Sequence, residues 1–246
     1  MINEVESADW RTLVAKKPGI HAWPPGQLSF FSLPDDVLQH LAALSNEETN
    51  TLETGLGAST IVFACQRSHH FCITPGRDEI ERMEAFCRRE GVSTDHVTFI
   101  GDYSEAALPR LALPPLDLVL IDGRHGFPAP MLDWYYSCKH LKIGGQLIVD
   151  DIQLWPVQVL IEYLSSSSHW KLERAFQRTL SYVRTGAGDE SAEWIHQLNV
   201  ERKTTELQLR MEKEQRMQKA RALAARGRFD LLAGKVLRTV TRRLRT

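Results

Sequence analysis

Asp122, His125, Asp150 and Asp151 are the residues of this chain whose types and spacing point most directly to chemistry. Asp122 ends an apolar run that begins at Leu116 and is followed by Gly123-Arg124-His125, while Asp150-Asp151 end a second apolar run, Gln146-Leu-Ile-Val149. If the two runs are neighbouring parallel strands, their carboxyl ends open into one crevice and the three carboxylates gather there. Carboxylates held together repel and raise each other's pKa. A divalent cation resolves that repulsion, and all-oxygen ligands suit Mg2+, Mn2+ or Ca2+. Asp122, Asp150 and Asp151 are therefore read as metal ligands. His125 reaches the same cleft as a base, because an imidazole titrates near neutrality and suits taking a proton from a hydroxyl. The bland readings are a turn at Asp122-Gly123, a helix cap at Asp150-Asp151 and a solvated loop histidine.

The second constellation is Glu53-Thr-Gly-Leu-Gly-Ala-Ser-Thr60. A short β-type run ends on an acid, two glycines follow, and Ser59-Thr60 open an apolar helix. Such a strand–glycine turn–helix junction holds nucleotide-like cofactors in doubly wound α/β proteins. Gly55 and Gly57 let the backbone approach a ligand without a Cβ in the way. The helix start offers free N–H groups, and Ser59 or Thr60 is a natural cap. Alone, the turn is equally well a structural one.

These residues need a scaffold that brings strand ends together. Strands are expected at Thr49–Thr54, His70–Thr74, Val97–Ile100, Leu116–Asp122 and Gln146–Asp150. Helices are expected between them at Ser59–Gln66, Asp78–Glu90, Tyr103–Leu111 and Pro130–Leu141, with Trp155–Ser165 after the fifth strand. Alternation of this kind means a parallel sheet with right-handed crossovers. Trp170–Phe176 and Thr179–Thr185 lie too close together for a crossover helix and are expected to form an antiparallel hairpin. Before the sheet, residues 1–48 form a helical and Pro/Gly-rich segment, with an amphipathic helix at Pro34–Leu44, that covers the crevice; Trp23, Phe30 and Phe31 are assigned to this lid. Residues 49–186 are the α/β domain. Residues 187–246 form a long helix, from Glu190 to about Arg226, and a basic amphipathic stretch from Phe229 to Leu244.

Length and composition fit one α/β domain of about 200 residues with an appendage. No apolar run approaches the ~20 residues that span a bilayer. The acidic start lacks an apolar leader, and Cys65, Cys72, Cys87 and Cys138 show no metal-type spacing. They read as reduced core thiols of a cytoplasmic protein. The net charge of −1 hides an asymmetry: after Asn199 there are fourteen Lys and Arg against five Asp and Glu, so the body is acidic and the tail basic. The tail fits a solvated or dimerising helix, with Val200, Thr204, Leu207 and Met211 at heptad-like spacing, or contact with an anionic membrane surface. Nucleic acid is disfavoured, because the tail has no interleaved aromatics.

Five parallel strands followed by a hairpin resemble the class I S-adenosylmethionine-dependent methyltransferases over roughly residues 28–185. Glu53 to Thr60 is similar to their cofactor loop. Ile121-Asp-Gly-Arg-His125, Gly144-Gly145 and Val149-Asp-Asp151 are similar to their strand-four and strand-five signatures, closest to the metal-dependent O-methyltransferases of the sugar-modifying type. The resemblance implies a doubly wound, seven-stranded, mostly parallel Rossmann-like sheet with an antiparallel terminal hairpin. It implies S-adenosylmethionine as cofactor, held by Glu53, Gly55, Gly57, Ser59, Thr60, Thr74 and Asp102, with Glu53 beneath the loop and Asp102 near the adenine. It also implies Mg2+ or Mn2+ on Asp122, Asp150 and Asp151, His125 as base, and a small hydroxylated molecule or sugar as acceptor. One position departs: where the family places an acid for the ribose hydroxyls, this chain has Thr74. That departure supports a competing expectation, a non-catalytic scaffold acting through its C-terminal helix and tail. A nicotinamide oxidoreductase is disfavoured by the missing third glycine and by the hairpin.

Overall fold

The computed structural model describes residues 9–188 and 191–225. Its contacts divide the chain into two compact units, 1–188 and 189–246. In the first, α1 (Trp10–Ala15) and α2 (Asp35–Leu44) precede an alternating series. β1 (Asn50–Thr54), α3 (Ala58–Gln66), β2 (His69–Ile73), α4 (Arg77–Arg89) and β3 (Val97–Ile100) form its first half. α5 (Ser104–Ala107), β4 (Leu116–Ile121), α6 (Ala129–Cys138), β5 (Leu141–Val149) and α7 (Trp155–Ser166) form the second. The hairpin β6 (Trp170–Ala175) and β7 (Leu180–Arg184) ends the unit.

The seven strands form one sheet in the order β3-β2-β1-β4-β5-β7-β6. Neighbours among β1 to β5 pair in parallel, while β7 lies antiparallel to both β5 and β6. The order turns around between β1 and β4, so the crevice of this sheet opens at their carboxyl ends.

Alternate residues of each strand face opposite layers. Leu118 and Leu120 of β4 join a core with α1, α2, α3 and α4, whereas Val119 and Ile121 join a second core with α6 and α7. Each fully buried Leu, Val or Ile contributes about 1.5–3 kcal/mol, which fixes the register of the central strands. Trp10, Leu13 and Val14 of α1 and Val37, Leu38 and Leu41 of α2 lie in the first core, so the N-terminal segment packs into the same unit as the sheet.

The fold matches the expected α/β class, with differences at element ends. β5 begins at Leu141, not Gln146. Gly144 adopts φ 87° and the pairing with β4 shifts register near Leu116–Leu118, so a bulge lets the strand run through the glycine pair. In the second unit, α8 spans Leu198–Ala225 and begins later than Glu190. Gln197 is extended (φ −97°, ψ 96°) after a 3-10 turn at Trp194–His196, and its carbonyl accepts from Val200 and Glu201 N–H to start the helix. The expected stretch Phe229–Leu244 lies outside the described residues. Among the described residues no helix is long and apolar enough to cross a membrane.

Candidate active site

The glycine turn leaves β1 directly against the end of β4. Gly55 has φ 101°, and a Cβ there would collide with the Asp122 carbonyl oxygen. Only glycine permits both that conformation and that approach. The Gly55 N–H donates to the Ile73 carbonyl at 2.9 Å, and the Asp122 N–H donates to the Thr54 carbonyl at 3.1 Å. Gly57 is extended, but a Cβ would meet the Phe31 carbonyl at 2.9 Å. The same carbonyl accepts from Ala58 N–H at 3.2 Å, so the segment read as a lid rests its backbone on the turn.

Glu53 is buried beneath this turn. Its carboxylate accepts from Ser59 Oγ at 2.6 Å and Thr60 Oγ1 at 2.5 Å, and lies 3.1 Å from His70 Nε2. Thr60 Oγ1 also accepts from the Gly57 N–H at 3.1 Å. The two hydroxyls, assigned to cofactor binding from the sequence, therefore point down onto Glu53 and brace the turn. His70 completes the brace: its Nδ1 lies 2.8 Å from Thr51 Oγ1 and its ring stacks on Phe63 at 4.2 Å.

Thr74 is buried after β2, and its hydroxyl reaches Glu79 Oε2 at 3.5 Å. Glu79 stands in the first turn of α4, folded over Gly76, with Oε1 3.2 Å from His21 Nδ1. An acid thus stands beside Thr74 after all, delivered from a helix. Five residues of separation hid it in the sequence. Asp102 follows β3, pairs with Arg110 at 2.7 Å and accepts from Tyr103 N–H at 2.8 Å.

At the ends of β4 and β5 the structure brings Asp122, His125 and Asp151 together, with one ligand atom of each within 4.8 Å of the others. His125 Nε2 lies 3.1 Å from Asp151 Oδ2. Asp151 has φ 55°, a left-handed conformation that is costly outside glycine and eased for Asp. Burial, then Asp150, Asp151 and Glu53, hold the Asp122 carboxyl well above the usual carboxylate range.

Asp150 departs from the expected ligand set. It is buried, its Oδ1 accepts from Thr179 Oγ1, and its Oδ2 meets Arg178 Nη2 at 3.2 Å. Arg178 Nη1 also reaches Asp151 Oδ1 at 3.4 Å. The β6–β7 turn thereby supplies a cation and a hydroxyl to the acid pair. Gln177-Arg178-Thr179 gave no functional signal in the sequence, because only strand pairing carries this turn to the end of β5.

Sheet order, the glycine turn where that order reverses and acids at the ends of β1, β4 and β5 are the arrangement of the class I S-adenosylmethionine-dependent methyltransferase fold. Residues 52–152, about two fifths of the chain, match the family described as a methyltransferase domain. Among solved structures, cofactor-bound Rv0187 from MTB is similar with TM-score 0.56 and 16% identity, covering 64% of this chain and 83% of its own. The O-methyltransferase TomG from Streptomyces achromogenes, involved in tomaymycin synthesis and solved with S-adenosylmethionine, gives TM-score 0.52 and 18% identity, over 63% and 82%. An rRNA methylase from Streptococcus thermophilus gives TM-score 0.50 and 11% identity, over 64% and 100%. At such identities the likeness is one of fold. Comparison with curated proteins finds no match.

Proposed function

We propose that the enzyme moves the methyl group of S-adenosylmethionine to an oxygen of a small hydroxylated molecule or sugar, assisted by Mg2+ or Mn2+. The carrying observation is the Asp122–His125–Asp151 group, gathered within 4.8 Å beside the Gly55 turn. Two carboxylates suit Mg2+ or Mn2+ and leave the imidazole as base, and the crowding of acids around Asp122 favours a cation there. Asp122 and Asp151 would hold the ion, which when bound would make a ligated hydroxyl more acidic. Bound S-adenosylmethionine supplies an electrophilic methyl on a sulfonium. His125, oriented by Asp151, takes the hydroxyl proton as the new O–C bond forms and the C–S bond breaks. The protein's main task is to hold the oxygen in line with the methyl.

Asp150 acts indirectly in this reading. Bonded to Thr179 and Arg178, it anchors the hairpin that steadies Asp151. For the cofactor, Gly55 and Gly57 present backbone to the methionine part, Asp102 serves the adenine, and Thr74 with Glu79 takes the ribose. The four cysteines are buried and joined by no disulfide, which favours a reducing, cytoplasmic setting. We assign α8 to self-association, since Leu207 and Met211 of the heptad-like stripe are exposed, and the basic tail to an anionic surface.

Mn2+ binding followed by electron paramagnetic resonance, with turnover measured as S-adenosylhomocysteine released, tests the reading. Asp122→Ala and Asp151→Ala should lose the bound Mn2+ signal and about 100-fold or more in turnover, while keeping calorimetric affinity for S-adenosylhomocysteine. Full activity in excess chelator, with both variants active, would rule the metal out.

A further inference from the structure

Beneath the glycine turn lies a second group of metal-type side chains, built from two neighbouring strands. Thr51 and Glu53 of β1 point to one face, as do His70 and Cys72 of β2, because side chains alternate along a strand. The parallel register sets Thr51 opposite His70 and Glu53 opposite Cys72. Glu53, His70 and Cys72 are each at most 1% exposed, and one ligand atom of each lies within 4.8 Å of the others. A carboxylate, an imidazole and a thiol are donors for zinc rather than for magnesium. Sequence spacing hid the group, since its members come from two strands and not from one Cys-x-x-Cys loop.

The hydrogen bonds around His70 show what must stand between it and Glu53. Ser68 Oγ donates to the Phe63 carbonyl at 3.4 Å, which spends its hydrogen. In its 3.1 Å contact with Thr51 Oγ1, Ser68 therefore accepts, and Thr51 in turn accepts from His70 Nδ1–H at 2.8 Å. In the neutral ring Nε2 then carries the lone pair, and it faces Glu53 Oε1 at 3.1 Å. Glu53 receives the hydroxyls of Ser59 and Thr60, so this oxygen is an acceptor too. Two acceptors in contact need a positive centre between them, a proton or a metal ion. Zinc bonds of about 2 Å to each would meet at about 100°, near the tetrahedral angle. Cys72 Sγ, 3.3 Å from the Gly55 carbonyl, adds a sulfur that a proton bridge would not need.

We propose that Glu53, His70 and Cys72 hold a structural zinc ion that pins β1 to β2 under the Gly55 turn. The surrounding bonds are those a ligand set needs: Thr51 orients the imidazole, and Ser59 holds the far carboxylate oxygen. Binding releases the thiol proton and the proton otherwise held between Glu53 and His70. The site is separate from the Asp122–His125–Asp151 group and does not rest on the acceptor reading.

The full chain is stripped of metal in denaturant with chelator and refolded with CoCl2, because buried ligands admit the ion only as the fold closes. A sulfur-to-cobalt charge-transfer band should appear, which a site of oxygen and nitrogen ligands cannot give. Refolding with ZnCl2 instead should raise the melting temperature. Asp122→Ala and Cys65→Ala should keep the cobalt band, and Cys72→Ala should lose it together with the zinc-dependent rise in melting. Thr51→Val, close in shape, should weaken zinc binding about 10- to 100-fold by freeing the imidazole. Protein from cells grown with CoCl2 gives the same readout without refolding. A folded parent with no band, or a band that survives Cys72→Ala, overturns the zinc site and leaves a proton between Glu53 and His70. Loss of the band in Asp122→Ala puts the cobalt in the crevice and overturns it likewise. Should Cys72→Ala not fold, Thr51→Val decides, and unchanged zinc affinity there overturns the site.

Discussion

Asp133 shows how a single residue links burial to pH. It sits on α6 with no exposed surface. Burial pushes its pKa from 3.8 to about 6, and the hydroxyls of Ser104 and Thr54, which face it, offset only part of this. Below pH 3.8 the group is protonated in both folded and unfolded chains. As pH rises towards about 6 the unfolded chain loses its proton first, so the fold loses stability, and above about 6 the loss is complete. A rise of that size in a carboxyl pKa corresponds to about 3 kcal/mol. Asp133→Asn should therefore be more stable than the parent at pH 8 by up to that amount and nearly equal at pH 4, as read by urea denaturation at both. The cysteines give a second check. Burial pushes Cys65 up to about 12 and Cys87 up to about 11, and Cys72 is raised well above its ordinary value. The thiolate is the reactive form, so Ellman's reagent should find no fast thiol in the native protein and four in denaturant.

At the scale of elements, the β1–α3 turn decides whether the site exists. Gly55→Ala puts a Cβ against the Asp122 carbonyl in a positive-φ conformation, at a cost above about 2 kcal/mol. It should lower the melting temperature and abolish S-adenosylhomocysteine binding in calorimetry, while Gly126→Ala, which meets open space, should change melting little. This turn was legible in the sequence because strand, glycines and helix cap are local features. So were the ends of β4 and β5, where acids follow apolar runs. What escaped was set by tertiary contact. Ser59 and Thr60 fit a cap or a ligand equally well until Glu53 is seen beneath them. Glu79 supports Thr74 only because α4 folds back over Gly76. Arg178 reaches Asp150 and Asp151 only once β7 pairs with β5. Asp150 and Asp151 are adjacent in sequence, yet Asp150 is tied to the hairpin and Asp151 turns to His125 at φ 55°.

For the whole molecule, the division at Gly188 makes a prediction about what each part carries. The sheet, both cores, the glycine turn and the Asp122–His125–Asp151 group all lie within residues 1–188. β7 closes the sheet at Arg184, whose guanidinium donates to the carbonyls of Cys138 and Leu141 at 2.5 and 2.6 Å and is buried in doing so. The chain can end four residues later without breaking any strand. A protein truncated after Gly188 should therefore melt cooperatively and bind S-adenosylhomocysteine with the affinity of the full chain. The removed part holds fourteen Lys and Arg after Asn199 and the exposed stripe of α8, so truncation should change association instead. Sedimentation should show the full chain heavier than one copy and the truncated chain as a single copy. Vesicles with anionic lipid should retain only the full chain, and less of it as salt rises, because screening weakens attraction between separated charges. Equal affinity for the cofactor product with unequal association would show that residues after 188 place the enzyme without building its site. A truncated chain that folds but no longer binds would mean that part of the cofactor site comes from the second unit.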